Sequence, residues 1–276
     1  MALIGTRLDD GDLVIREVGR GASAHVYLVS NGVRMRALKL LPGGDHARAR
    51  HECSIAGELD HPHVNRVDGM VEVSGRPGVL MPFVPGRRLL ARQRSPRGRE
   101  AYLDAFEGLL AALGYLHQQG IVHRDVKPEN VLADASGHVR LVDFDLAVRL
   151  RSATRPGLVG TIAYLSPEQA RGEPALPASD VYAAGVMLFG ALTGEVPFSG
   201  TVDEVVTQHR EAPVSAPSTL DPDLAPLDPL LDAMLAKRAD DRLVDGAAAL
   251  EALRALRPAL RRRSGLPPAT VGRMPS

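Results

Sequence analysis

The sequence predicts an α+β fold in which a small antiparallel sheet with one helix precedes a mainly helical body. Short β-branched and apolar runs, separated by turn residues, crowd the stretch from 13 to 84. Beyond about residue 100 apolar residues recur instead at helical spacing, over 101–119, 181–192, 227–235 and 247–260. Within the second regime, residues 123–130 gather carboxylate, ammonium and amide groups between the apolar runs 109–116 and 139–142.

Bulk composition narrows the function classes. A chain of 276 residues suits one large domain or two lobes, and 45% hydrophobic with 24% charged residues rules out bulk disorder. The formal net charge of zero argues for no nucleic-acid partner. Cys53 is the single cysteine, so no internal disulfide forms, which suits a reducing compartment. Residues 1–11 lack the basic start and apolar core of a signal peptide. The longest apolar run, 181–192, is shorter than the ~20 residues a spanning helix needs. A cytoplasmic chain without a membrane span is therefore expected.

Taken in order, Leu13-Val14-Ile15 and Val26-Tyr27-Leu28-Val29 read as a hairpin around the turn-rich stretch 19–26. Arg36-Ala37-Leu38-Lys39-Leu40 reads as the next strand, and a Lys among apolar neighbours is costly unless paired. Helical spacing of Ala49, Cys53, Ala56 and Leu59 predicts a helix over 46–59. His51, His61, His63 and Cys53 invite a metal reading, but no zinc-ligand spacing organises them. Strands at 71–73 and 79–81 follow, joined by 74–78, and then a basic, turn-like stretch over 87–99 with no recognisable chemistry. Residues 103, 106, 109, 110, 113 and 116 form a helical stripe that ends at Gly120. A strand over 139–142 leads into Asp143-Phe144-Asp145. The last stretch, 261–276, opens with three arginines followed by Gly and Pro and reads as a disordered, solvated basic tail.

The octet His123-Arg124-Asp125-Val126-Lys127-Pro128-Glu129-Asn130 carries the chemistry. Phosphoryl transfer needs a carboxylate to take the proton of the attacking hydroxyl, a cation to steady the moving oxygens, and an amide oxygen for a metal ion. Asp125, Lys127 and Asn130 fill these roles in that order. Lysine occurs only at 39, 127 and 237 in this arginine-rich chain, which sets Lys127 apart.

The octet resembles the catalytic loop of protein kinases, a signature long recognised in general form. Lys two residues after the Asp resembles the Ser/Thr branch, and Gly160-Thr161-Ile162-Ala163-Tyr164-Leu165-Ser166-Pro167-Glu168 resembles the end of the activation segment in bacterial, eukaryotic-like (Hanks-type) serine/threonine kinases. The resemblance runs from about residue 13 to 256. It implies a bilobal protein-kinase-like fold over 1–260, with an N-lobe to about 84, a C-lobe from about 85 to 260, and ATP in the cleft. It further implies transfer of the γ-phosphoryl group to protein Ser or Thr in bacterial signalling, with Mg²⁺, or alternatively Mn²⁺. Implied partners are protein substrates, a cognate phosphatase, and a second copy of the chain for autophosphorylation in trans.

By the same resemblance, Gly19, Gly21, Ala22 and Val26 belong to the loop over the phosphates, with Ala24 where the family pattern has its third Gly. Lys39 contacts phosphates and pairs with Glu52, with Glu58 as the fallback. Ala37, Met81 and Leu132 line the adenine pocket, and the Pro82 carbonyl and Val84 amide serve the base. Asn130 and Asp143 hold the metal. Thr161 frames the substrate hydroxyl, buried Glu168 takes Arg242 as its cation, and Asp180 braces the catalytic loop. Arg124 pairs with a phosphorylated activation segment, which makes Ser152 and Thr154 candidate phosphosites.

The chief departure is Asp145, where relatives usually have Gly. It adds charge near the metal and is expected to restrict flipping of Phe144, in a loop that an Asp still permits through its tolerance of left-handed conformations. Two rival readings follow. Asp145 and Ala24 suit a nucleotide-binding pseudokinase or scaffold, and a small-molecule phosphotransferase of related fold is disfavoured by the intact 161–168 segment.

Overall fold

Strands β1 (Leu13–Arg20) and β2 (His25–Ser30) form the expected hairpin, closed at its tip by the Gly21 amide on the Ala24 carbonyl. The computed structural model describes residues 3–21, 24–89, 95–150 and 160–263. Strand β3 (Met35–Leu40) follows, then helix α1 (His46–Ala56), β4 (Gly69–Val73) and β5 (Arg76–Pro82). The five strands make one antiparallel sheet in the order β1-β2-β3-β5-β4. Ser74 and Gly75 both take positive φ (53° and 74°) in the β4–β5 turn, the conformation a tight hairpin requires.

Helix α1 stops at Ala56 and not at Leu59. Gly57 closes it by donating to the Cys53 carbonyl, and Leu59 is buried in the loop beyond. An unforeseen charge cluster anchors the chain before β1. Arg36 of β3, only 4% exposed, donates from Nε to Asp12 at 2.6 Å and from Nη2 to Asp10. Asp12 has no solvent exposure, so only the paired guanidinium makes its burial tolerable.

The second lobe begins with β6 (Arg87–Arg88) and helix α2 (Pro96–Gln118). The expected helix starts at Pro96 instead of Ala101 because Ser95 caps the Gly98 amide and Pro96 occupies the first turn. Short strands β7 (Ile121–Val122), β8 (Val131–Ala133), β9 (Val139–Leu141) and β10 (Val148–Arg149) flank the octet; β7 pairs with β10, and β8 lies between β6 and β9. The one-turn helix α3 (Pro167–Ala170) precedes α4 (Pro177–Thr193), which is apolar on all sides and buried along most of its length. Helix α5 (Val202–Glu211) is an addition, opened by a Thr201–Glu204 capping box. Helices α6 (Asp228–Leu235) and α7 (Gly246–Arg263) complete the lobe.

The boundary expected at 260 is corrected by α7, which runs through Arg263. Arg261 donates to Glu100 of α2 at 2.9 Å, and Arg257 pairs with Glu100, Asp104 and Glu107. The first three residues assigned to a tail are thus a helical turn held by ion pairs; residues 264–276 lie outside the described range. Helices α2 and α7 cross at a glycine contact. A Cβ on Gly246 would stand 2.4 Å from the Gly114 amide nitrogen and 2.8 Å from the Leu110 carbonyl oxygen.

The lobes meet along the segment after α1. Val64 bridges to Leu141 of β9, the Asn65 amide donates to the Leu141 carbonyl, and the Leu141 amide donates to the His63 carbonyl. His63 stacks on His138 and contacts the Val139 carbonyl, while His138 reaches the Pro62 carbonyl. These imidazoles bond to backbone, and among the described residues no set of three or more His, Cys, Asp or Glu side chains is grouped to hold a metal ion.

Candidate active site

Asp125 lies in the turn after β7, where the chain is clamped from below. The Asp180 carboxylate, at the start of α4, accepts the His123 amide at 2.7 Å and the Arg124 amide at 2.8 Å. His117 supports it at 3.0 Å from α2, and the Gly246 amide donates to the other ring nitrogen, so the hydrogen of His117 faces Asp180. This bracing holds Arg124 at φ 70°, a left-handed conformation that a bulky residue keeps only when its surroundings enforce it. Gly160, at φ 117°, packs its Cα against the Arg124 carbonyl, where a Cβ would stand 3.0 Å from the oxygen.

The octet converges on one carboxylate. Lys127 Nζ donates to Asp125 Oδ2 at 2.5 Å and to the Thr161 hydroxyl at 2.7 Å. Thr161 contributes both its amide (3.1 Å) and its hydroxyl (2.9 Å) to Asp125 Oδ1. Asn130 donates from Nδ2 to the Asp125 backbone carbonyl at 2.9 Å and to Oδ2 at 3.1 Å, which turns its amide oxygen toward other partners. Asn130 also accepts the Val142 amide on its backbone carbonyl, placing it beside the residue that precedes Asp143.

Asp143 carries the other left-handed backbone of the site, φ 68°. Its Oδ1 receives Lys39 Nζ at 2.6 Å, and the same ammonium reaches Glu52 Oε2 at 2.8 Å, so β3, α1 and the 143–145 turn meet at one cation. Burial by itself would lower the Lys39 pKa; the carboxylates of Glu52, Asp143 and Asp145 override it and hold the ammonium above its ordinary value. Burial pushes Glu52 up against the pull of Lys39, while for Asp143 the Lys39 charge prevails over burial and holds the carboxyl below its usual range. Glu58, the fallback partner, is exposed and outside this cluster.

Asp143 and Asn130 offer hard oxygen donors, one carboxylate and one amide. So few protein ligands fit a small divalent cation that keeps water and phosphate oxygens as its remaining partners. The upper wall holds Val26, half-buried and packed on a core that includes Ala37 and Met81. Leu132 is half-buried in β8, and Val84 follows β5. The Pro82 carbonyl accepts Asn65 Nδ2 at 3.1 Å, and a carbonyl oxygen has a second lone pair beyond this bond. Gly19 and Gly21 line the hairpin tip; Ala22 lies outside the described residues, as do Ser152 and Thr154.

Asp145 departs from expectation. Its backbone is not among the left-handed positions, so no glycine-like freedom is used there. Its side chain turns back to α1, where Arg48 donates from Nε to Oδ1 at 2.6 Å and from Nη2 to Oδ2. Phe144 is buried against His123, edge to face at 5.2 Å. His123 contacts the Val142 carbonyl at 3.2 Å and accepts the Asp125 amide, a supporting role that sequence reading did not assign. Arg48, Asn65 and His117 were likewise missed, because nothing local in the sequence marks their partners.

Farther down, Glu168 and Arg242 form a buried two-pronged pair at 2.8 and 2.6 Å, with Ser179 as a further donor to Glu168. Burial raises the Glu168 pKa, but Arg242 outweighs it and holds the carboxyl low.

Known proteins resemble this chain along most of its length. The protein kinase domain family matches residues 13–253. The chain is 34% identical over 239 residues to the probable serine/threonine-protein kinase PknB of Lactococcus lactis, covering 81% of this chain and 38% of that protein. It is 35% identical over 225 residues to the serine/threonine-protein kinase PrkC of Bacillus subtilis, covering 76% of this chain and 35% of that protein. Similarity to the DNA damage-responsive serine/threonine-protein kinase RqkA of Deinococcus radiodurans is 38% over 261 residues, covering 88% and 39%. The matched region thus spans little more than a third of the length of these relatives.

Proposed function

Because the chain belongs to the protein kinase domain family, we propose that it is an ATP-dependent serine/threonine protein kinase. The observation that carries the reading is the convergence of Lys127, Asn130 and Thr161 on the Asp125 carboxylate. Bound ATP supplies the γ-phosphoryl group, which moves to the hydroxyl oxygen of a protein Ser or Thr as ADP leaves, while a divalent cation, in this proposal Mg²⁺, offsets the phosphate charge.

Each residue then has a defined task. Asp125 orients the incoming hydroxyl and takes its proton, with Thr161 setting the direction of Oδ1. Lys127, on the other oxygen, holds Asp125 in place and adds positive charge beside the transferring group. Asn130 and Asp143 hold the cation, and Lys39 is kept charged and in place by Glu52 to meet phosphate oxygens. Gly19 and Gly21 support a phosphate-covering loop. A Cβ at either would meet only ordinary contacts, 3.8 and 3.6 Å at the nearest, and neither has positive φ, so the requirement for glycine lies with a group approaching the backbone. Asp180, Glu168 and Arg242 act on the frame and not on the chemistry. The proposal includes Ser152 and Thr154 as modified residues, recognised by Arg124, whose buried Nε has no protein hydrogen-bond partner among the described residues.

The test is γ-phosphate transfer from ATP with Mg²⁺, comparing the wild type with Asp125→Asn. The wild type should label Ser or Thr, and the variant should lose about 100-fold or more while still binding nucleotide. A wild type that binds ATP but transfers nothing with Mg²⁺ or Mn²⁺ would favour the scaffold reading.

A further inference from the structure

Asp145 is a carboxylate with only 6% of its side chain exposed, at a turn where resemblance leads one to expect glycine. A buried carboxylate persists only when its charge is answered. Here the answer comes from outside the turn: Arg48 spans both oxygens with Nε and Nη2, and Lys39 Nζ stands 3.6 Å away. Arg48 also has Asp45 within 3.6 Å, but the hydrogen bond to Asp145 is the largest influence on its charge and raises its pKa.

Arg48 belongs to a set. Arg48, His51 and Glu52 occupy positions i, i+3 and i+4 of α1 and so share one face. Each grips a different part of the same segment. Arg48 holds Asp145, His51 Nε2 meets the Ala147 carbonyl at 2.7 Å, and Glu52 reaches Asp143 through Lys39. Arg149 adds a longer contact, 3.4 Å, to the Ser54 carbonyl. The apolar face of α1 is small, Ala49, Ile55 and Ala56 with half-buried Cys53 against the core, and its N-cap Asp45 makes no side-chain capping bond. Beside that packing, the helix that presents Glu52 is tied by polar contacts to the turn that presents Asp143.

We propose that Arg48 and Asp145 are a positioning pair for the phosphoryl-transfer site: together they lock α1 to the 143–145 turn and keep Lys39 between Glu52 and Asp143. The carboxylate in the glycine position and the arginine one helical turn before Glu52 are then two halves of one device. The pair acts through Glu52, Lys39 and Asp143. The catalytic consequence rests on the kinase reading, but the mechanical one does not.

Two measurements on Arg48→Ala, Asp145→Gly and the double variant separate these. The first is amide hydrogen exchange in the nucleotide-free protein, which needs no activity. Exchange across residues 46–56 should quicken by about tenfold in each single variant and no further in the double, as expected of residues that act as one unit. Exchange in α4 and α7 should stay unchanged. The second is steady-state transfer: KM for ATP should rise and kcat fall together in both single variants, again without addition in the double, and Arg48→Lys should restore part of the loss. Unchanged exchange in α1 would overturn the proposal, as would independent, additive effects. An Asp145→Gly variant that equals or exceeds the wild type in kcat/KM would overturn it too, making Asp145 a brake. If the wild type transfers no phosphate, the kinase reading fails while the exchange result still decides whether the pair positions α1.

Discussion

Glu168 with Arg242 and Lys39 with its carboxylates are buried charges in answered sets, and the consequence at the scale of a residue is asymmetric. Glu168 and Arg242 are each almost fully buried, and Arg242 additionally holds the carbonyls of Ala178 and Ala236. Removing one partner leaves an uncompensated charge among apolar neighbours, which costs far more than the pair contributes as a whole. Arg242→Ala should therefore destabilise the protein by about 3–5 kcal/mol, read as a fall in the urea midpoint at constant slope. Pairing Arg242→Met with Glu168→Leu should recover much of that loss. The same logic explains Lys39. Its ammonium is held charged by three carboxylates, so a neutral replacement strands Glu52 and Asp143.

At the scale of elements, close approach matters more than propensity. Helices α2 and α7 cross where Gly114 faces Gly246 and Ala247, with no room for a methyl group on Gly246. Gly246→Ala should push α7 outward and cost about 1–3 kcal/mol, measured by thermal or urea unfolding. It should also disturb the Gly246 amide bond that fixes His117 and, through it, Asp180. A loss of transfer rate beyond the loss of folded protein would show that this crossing reaches the Asp125 turn. Helix α1 adds to a small apolar face a row of polar contacts to the segment it serves.

For the whole molecule, acid is the informative stress. His209 is completely buried against Tyr182 and Phe198 with Lys237 nearby, and burial lowers its pKa from the ordinary 6.5 to about 4. Between those values the unfolded chain binds a proton that the folded one refuses, so stability is full above about pH 6.5 and is lost as pH falls toward 4. The loss amounts to about 3 kcal/mol and levels off below that. Glu168, whose carboxyl is held low, adds a further decline below the ordinary carboxylate range, because its stabilisation is present above its unfolded pKa of about 4.5 and disappears as the folded group protonates. Urea midpoints from pH 7 to 4 should trace the first decline, and His209→Gln should flatten it.

The sequence by itself determined the class of fold and the identity of the chemical groups. Strand runs, helical stripes and the octet are local patterns, so β1 to β5, α2, α4, α6 and α7 were legible within a few residues, while Lys39, Glu52, Asp125, Asn130 and Asp143 stood out as candidates that the fold brings together. Helix α5 was also written locally, in the Thr201–Glu204 box, and was overlooked. Two-residue strands such as β7 and β10 carry no periodicity and exist only because partners lie opposite. Tertiary structure alone decided what each buried charge answers to. Arg36 with Asp12 and Arg261 with Glu100 are pairings that no local pattern announces. Arg48 and Asp145 are separated by 97 positions, and their meeting changes Asp145 from an intrusive charge near a metal into the anchor of a helix. The reason is physical: a side chain's chemistry is local, but the cost of burying its charge is set by whatever the fold brings to it.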